Sequence, residues 1–335
     1  MKNNSINIGT IADENYAQHT GVWMFSIMKN CSCSSDIHFY IFDGGINEKS
    51  KKLMKKICDD FGSKLSFIKP DVNDWLLFKG LKLGKHLTPI IYCKLLFAEK
   101  IKNIEKIIIL DSDIIVEGDI KELNEISLDN KTIGAIPDVG IYTKEISAKN
   151  LGFPDNQKYF NSGVMVVDCV KWKKNNVLKN VIKFIRENPD KIRIQDQDGL
   201  NFIMQKDWKA LPYEWNIVHP FYYKSLELKK VIGEKKLNEI LANPKIVHYT
   251  IKPWIYEKVH PLRNRYWHYL KQTPWKNAKY PKITLKGFIL KLFRLIIKPI
   301  PWETKLKIKS IFSRPSKNQQ EFRYLSEEEL RNFKT

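Results

Sequence analysis

The chain has 335 residues, 43% hydrophobic and 12% aromatic, with a formal charge of +20, which suits one large α/β domain or such a domain plus an appendage. Its five cysteines (Cys31, Cys33, Cys58, Cys93 and Cys169) match no zinc spacing, and no window holds about 18 uncharged apolar residues, so neither a zinc module nor a spanning helix is expected. The opening "MKNNSINIGTIADENYAQ" has no apolar stretch of secretory length, so a cytoplasmic location with reduced thiols is expected.

Taken in chain order, "SINIGTI" (5–11) reads as a buried strand. "AQHTGVWMFSIMKN" (17–30) follows as an amphipathic helix, with Val22, Phe25, Ile27 and Met28 toward one side. "DIHFYIF" (36–42) alternates as a second strand. "NEKSKKLMKKICDDFG" (47–62) is a polar helix that turns Leu53, Ile57 and Phe61 inward and stops at Gly62. "KLSFIKP" (64–70) is a third strand, and "PIIYCKLLFAEKI" (89–101) is a helix opened by Pro89. "KIIIL" (106–110) is a fourth strand and runs directly into "DSD". "TIGAIPD" (132–138) and "GVMVVD" (163–168) are short strands, and helices are expected over 170–188 and 195–205. "NPKIVHYTIKPW" (243–254) holds a strand that ends on a histidine. Strands alternating with helices at this spacing predict a doubly wound, largely parallel sheet. There is no internal repeat; the composition shifts after Trp275, and a domain boundary is expected near residue 270.

Ligands of such sheets bind at the carboxyl ends of the strands, where both "IADEN" (11–15) and Asp111–Asp113 fall. Neither a G-x-G-x-x-G after the first strand nor a phosphate-loop lysine motif is present. Two carboxylates at a strand's end repel one another and lose hydration, a cost that a divalent cation removes. Hard oxygen ligands suit Mg²⁺ or Mn²⁺, and an added imidazole favours Mn²⁺. The bland alternative for a D-x-D pair is a solvated turn or a cap, and the chain carries a second such pair, Asp196 and Asp198.

"IADENYA" (11–17), "LDSDIIV" (110–116), "FNSGVMVVD" (160–168), "QDQDGLN" (195–201) and "VHYTIKPW" (247–254) together resemble glycosyltransferase family 8, which includes retaining galactosyl- and glucosyltransferases of bacterial lipopolysaccharide and glycogenin. The resemblance spans about residues 5 to 255. It implies a GT-A-type fold with a mixed, mostly parallel sheet flanked by helices, a UDP-hexose donor and a Mn²⁺ ion, with Mg²⁺ as the alternative. It implies that Asp111, Asp113 and His248 hold the metal, and that Ala12, Asp13, Asn15 and Tyr16 line the uracil and ribose pocket. Lys252 would meet the donor phosphates. Ser112, Asn161 and Ser162 would approach the donor, with Gly163 admitting close backbone approach. Lys94, where some relatives carry arginine, would join them with the charge but without the bidentate fork. Asp196 would hold sugar hydroxyls, and Gln197 lies where the family faces the anomeric carbon. Asp138, at a strand end, would orient the acceptor. Read without the family, "DEN" is a loop able to cap the next helix, Asp196 and Gln197 are first-turn helix residues, and His248 is a satisfied strand-end histidine.

Retention at the sugar requires a covalent intermediate or attack from the face of departure. An amide oxygen at Gln197 is a poor nucleophile, so same-face attack is the expected route. The expected domains are 1–270, the transferase, and 271–335, a basic segment. From Lys271 to Lys317 there are 13 basic residues and one acidic residue, Glu303. Within it "KGFILKLFRLIIKPIPW" (286–302) sets Lys291, Arg294 and Lys298 on one stripe of an apolar helix too short to span about 30 Å of hydrocarbon. An anionic membrane surface is therefore the expected partner of residues 280–317, at the inner face of the cell membrane, alongside a glycan or glycolipid acceptor. The rival readings are a self-glucosylating initiator like glycogenin, for which no clear acceptor tyrosine stands out, and nucleic-acid binding through the tail. The latter leaves the DSD and HYT motifs without a purpose, so no nucleic acid is expected.

Overall fold

The computed structural model describes residues 5–84, 88–139, 148–154, 157–222, 226–255 and 260–278. The basic helix and the final "YLSEEELRNFKT" of the sequence reading lie outside them. Among the described residues nine strands form: β1 (Ile6–Ala12), β2 (Ile37–Asp43), β3 (Lys64–Ile68), β4 (Lys106–Leu110), β5 (Ile114–Val116), β6 (Ile133–Pro137), β7 (Phe160–Asp168), β8 (Trp208–Ala210) and β9 (Ile246–His248). Seven make one sheet in the order β3-β2-β1-β4-β7-β6-β8. Neighbours are parallel except where β7 runs antiparallel to β4 and β6. Helices cover both faces. One core holds Tyr92, Phe97, Met165 and Trp172, and the other holds Trp23, Met24, Ile57 and Leu110.

The single reversed strand decides where the polar residues gather. Because β7 runs against β4, its amino end, Phe160–Gly163, lies at the edge where β1 and β4 deliver their carboxyl ends. β6 runs against β7 in turn, so Asp138 follows it at that same edge. The register of β6 on β7 jumps from Ala135↔Met165 to Ile136↔Asn161, a bulge that sets residues 162–164 out of the ladder. A second, two-stranded sheet pairs β5 with β9 and places Ile114 opposite His248.

Several elements differ from the sequence reading. Residues 170–188 form two helices, Cys169–Lys174 and Val177–Glu187, because Asn176 adopts a left-handed φ of 51° that ends helical continuation. The expected 89–101 helix is a tight 3-10 turn from Pro89 to Leu96 followed by α-helix Phe97–Lys100. It lies hard against β1, where a Cβ on Gly9 would sit 2.8 Å from the Phe97 ring. The helix Glu48–Phe61 buries Met54, Ile57 and Cys58, and leaves Leu53 and Phe61 half-buried. The helix Ala17–Asn30 is buried nearly all round and not on one side only; Phe25 is among its half-buried residues. The helix Val72–Phe78, unsuspected from periodicity, starts at an Asp71/Asp74 capping box. Packing continues past residue 270: the helix Arg263–Leu270 is followed by Thr273, which is buried, and by Trp275, whose ring fills the space beside Gly21.

A third core, beneath β9, is built of Tyr222, Tyr249, Tyr266 and Trp267 and encloses histidines. His19 stacks on Trp254 at 3.8 Å and shares a 2.5 Å hydrogen bond with the Tyr266 hydroxyl. Burial lowers His19 to about 3 and His219 to about 4, and it holds His260 well below its usual range. All three are neutral when folded and take protons when unfolded near pH 6.5, so their contribution is complete above that pH and is lost as pH falls. Stability measured by urea unfolding is expected to drop between pH 7 and pH 5 by on the order of 1 kcal/mol per histidine per pH unit below 6.5. An unchanged midpoint across that range would contradict this account.

Candidate active site

Asp111 and Asp113 leave β4 in the turn before β5, and the β5–β9 ladder sets His248 beside them. The Tyr249 amide donates to the Asp113 carbonyl at 2.9 Å, which fixes the register at its last rung. His248 Nε2 stands 3.1 Å from Asp113 Oδ1 and 3.7 Å from Asp111 Oδ2. All three residues offer a ligand atom within 4.8 Å of one another. Gly163 closes the other side: a Cβ there would lie 2.8 Å from Asp111 Oδ2 and collide with the His248 ring. Ser112, between the two aspartates, is buried.

Two lysines neutralise this acidic turn. Lys94 is buried and reaches Asp111 Oδ1 at 2.7 Å and Asp196 Oδ2 at 3.4 Å, while donating to the Ser162 carbonyl at 3.2 Å. Burial opposes its charge, but the two carboxylates win and raise its pKa above the ordinary lysine value. Lys252 ion-pairs with Asp113 Oδ2 at 2.5 Å. Burial alone would push the Asp113 carboxyl up; Lys252 and His248 outweigh it and hold it well below the usual range. For Asp196 burial wins, aided by Asp111, and its pKa is raised despite Lys94.

A relay of amides, absent from the sequence reading, runs behind these residues. The Gly163 N–H donates to Asn161 Oδ1 at 2.9 Å, so that oxygen can only be an acceptor. Asn216 must then present its NH₂ to it, at 2.8 Å, and turn its own oxygen to His248 Nδ1, at 2.9 Å. Nδ1 therefore carries a proton, and Nε2 is the nitrogen turned to the carboxylates. Two carboxylates and an imidazole nitrogen oriented from behind are a donor set that a cation between them stabilises, so the residues fit a divalent ion. Asn216 lies in "EWNIVHP", which has no motif character; only the fold reveals it.

The relay continues to the other side of the crevice. Asn161 Nδ2 donates to Asp138 Oδ2 at 3.2 Å, and Gln197 Nε2 donates to the same oxygen at 3.3 Å. Gln197 Oε1 accepts from the Ser162 amide at 2.9 Å. The Ser162 hydroxyl donates to Asp196 at 2.9 Å. Within the second D-x-D pair the roles divide: Asp196 joins the site, whereas Asp198 is buried and accepts from Tyr159, Arg193 and Ile194 to lock the start of the helix Gln195–Ile203. At the end of β1, Ala12 is buried and Tyr16 half-buried. Asp13 Oδ1 accepts from the Tyr16 amide at 3.1 Å, and Asn15 is exposed. Tyr16 stands edge-on to Trp254 at 6.4 Å, two residues beyond Lys252.

Residues 7–258 match the family model described as glycosyl transferase family 8. General stress protein A of Bacillus subtilis is 32% identical over 84% of this chain and 99% of that protein. The lipopolysaccharide 1,2-glucosyltransferase of Escherichia coli K12 is 24% identical over 81% of this chain and 79% of its own length. The galactosyltransferase LgtC, solved with donor and acceptor sugar analogs, superposes with a TM-score of 0.68 at 22% identity, covering 83% of this chain and 98% of that one. The mixed, mostly parallel sheet is thus of the GT-A type.

The relay predicts that Asn216→Leu weakens Mn²⁺ binding about 10- to 100-fold, because His248 loses the acceptor that fixes its tautomer. Asn216→Asp, which still accepts from Nδ1, should retain the metal. Gly163→Ala should lose it by filling the space beside Asp111 and His248. Titration followed by electron paramagnetic resonance checks all three, and ¹⁵N shifts of His248 read the tautomer directly. Equal affinities in wild type and Asn216→Leu would refute the relay.

Proposed function

The chain belongs to glycosyltransferase family 8, and on that premise we propose that it is a metal-dependent, retaining hexosyltransferase. It would move galactose or glucose from a UDP-sugar to a hydroxyl of a bacterial cell-surface glycan, such as a lipopolysaccharide or capsule precursor. The observation that carries this reading is the cluster of Asp111, Asp113 and His248 at the sheet edge. The lipopolysaccharide glucosyltransferase and the galactosyltransferase among its relatives support the acceptor and donor classes.

Mn²⁺, or Mg²⁺, would be held by Asp111, Asp113 and His248 and, when bound, supplies Lewis-acid stabilisation of a departing diphosphate. Lys252 brings a fixed positive charge to the same place, the kind of preorganised electrostatics that dominates leaving-group departure. Ala12, Asp13, Asn15 and Tyr16 would take the uridine at the end of β1. Asn161, Ser162 and Asp196 would face the sugar, with Lys94 holding Asp196 and Asp111 in register. Gln197 has its oxygen committed to the Ser162 amide and its nitrogen to Asp138 and Tyr159. An oxygen so engaged is poorly disposed to attack carbon, which favours same-face attack, with Asp138 orienting the acceptor beside it. The enzyme would work in the cytoplasm, peripheral on the inner face of the membrane, held there by residues 280–317. Among the described residues no helix is long and apolar enough to cross a membrane.

Purified protein with Mn²⁺ is expected to hydrolyse UDP-galactose or UDP-glucose slowly in a donor panel. Asp113→Asn should lower that rate 100-fold or more, about 3 kcal/mol in the barrier, while the fold persists. Gln197→Ala should keep measurable turnover. Failure of every UDP-sugar, or full activity in folded Asp113→Asn, would overturn the proposal; a glycosyl adduct on Gln197 would overturn same-face attack.

A further inference from the structure

Six large hydrophobic side chains are exposed among the described residues, and three of them, Val72 (73%), Trp75 (40%) and Leu76 (58%), belong to one short helix. Spaced i, i+3 and i+4, they share one face of Val72–Phe78. The opposite face is anchored: Phe78 is buried against Tyr92, and Asp74 is buried in the capping box. A surface helix ordinarily turns polar residues outward, so this one is inverted.

Cations flank the helix that carries that face. Lys69 and Lys79 are exposed at the two ends of the helix. Arg186 donates to the Leu77 carbonyl at 2.7 Å, which pins its guanidinium at the helix's last turn. Lys82 is held nearby on the Pro189 carbonyl at 2.8 Å. Of the acids nearby, Asp71 and Asp74 share Lys100, Glu187 turns to Lys183, and Asp190 lies exposed between Pro189 and Lys191.

We propose that this face rests on an anionic lipid bilayer. A few apolar side chains, one of them tryptophan, within a basic collar suit the headgroup region, where apolar insertion and attraction to anionic lipid act together. Three side chains fall far short of the roughly 800 Å² per partner that a stable protein interface buries. Charge thus chooses lipid as the occupant. The position gives the contact a use. β3 is parallel to β2 and β1, so Ile68 opens onto the edge that carries Asp111, and the helix begins just beyond it. The chain then returns through Lys82, whose carbonyl accepts from the Tyr92 hydroxyl at 2.5 Å, to Lys94 in the site. Lipid contact here would turn the crevice toward the headgroups and select a lipid-linked acceptor. That consequence rests on the proposed glycosyl transfer, whereas the membrane contact does not, and it is separate from any contact made by residues 280–317.

The test uses the full chain with vesicles of phosphatidylcholine, with and without phosphatidylglycerol. Amide hydrogen exchange across 72–84 is expected to slow several-fold when anionic vesicles are added. The triple variant Val72→Ser, Trp75→Ser, Leu76→Ser should bind them about tenfold more weakly, with hydrolysis of UDP-sugar in solution unchanged. Unaltered exchange in the wild-type chain overturns the proposal, and needs no variant to fold. Binding that persists undiminished in the folded variant also overturns it and leaves the tail as the anchor. A lipid-free dimer abolished by the same variant would assign the face to a second copy of the chain and equally reject the bilayer.

Discussion

The two-stranded ladder of β5 and β9 is the constraint on which the site depends. It joins residue 114 to residue 248 and closes with the Tyr249 amide on the Asp113 carbonyl. A shift of one residue would turn His248 to the opposite face of the ladder. The imidazole would then leave the carboxylates, and nothing else among the described residues could complete the cluster. The ladder is held in turn by the aromatic core beneath it, where Tyr249 donates to the Leu262 carbonyl at 3.0 Å.

Around that ladder opposite charges meet in direct contact. Asp111, Asp113 and Asp196 crowd one small volume, which would be unfavourable without Lys94 and Lys252. Each lysine has a distinct duty. Lys94 is sealed inside and ties one side of the crevice to the other, whereas Lys252 is half-buried on the rim beside Tyr16. The amides of Asn216, Asn161 and Gln197 then carry orientation from the Gly163 backbone to His248 on one side and to Asp138 on the other. Such networks define a single arrangement only when every member is satisfied, and each of these amides has partners at both ends.

Much of this was legible in the sequence. Apolar runs ending on polar clusters located β1, β2, β4 and the sheet edge where the candidate site gathers, and motif residues from several elements meet there. What escaped depends on partners distant in the chain. Asn216 is an ordinary residue in sequence and acquires its role only from the meeting of β7 and β9. That the Lys94 ammonium ties Asp111 to Asp196 likewise depends on partners far along the chain. What Asp198 does instead was not legible, because the helix start it holds is fixed by three-dimensional packing. The break at Asn176 and the 3-10 turn at 89–96 escaped because apolar periodicity carries no information about a left-handed residue or a tight approach to Gly9.

The central claim is that one divalent cation belongs between Asp111, Asp113 and His248. Crystals grown with Mn²⁺ and UDP, measured at a wavelength where manganese scatters anomalously, test it most directly. A single anomalous peak within coordination distance of both carboxylates and of His248 Nε2 is predicted. A well-ordered site with no peak there, or with manganese bound elsewhere while Lys94 and Lys252 keep their ion pairs, would contradict it.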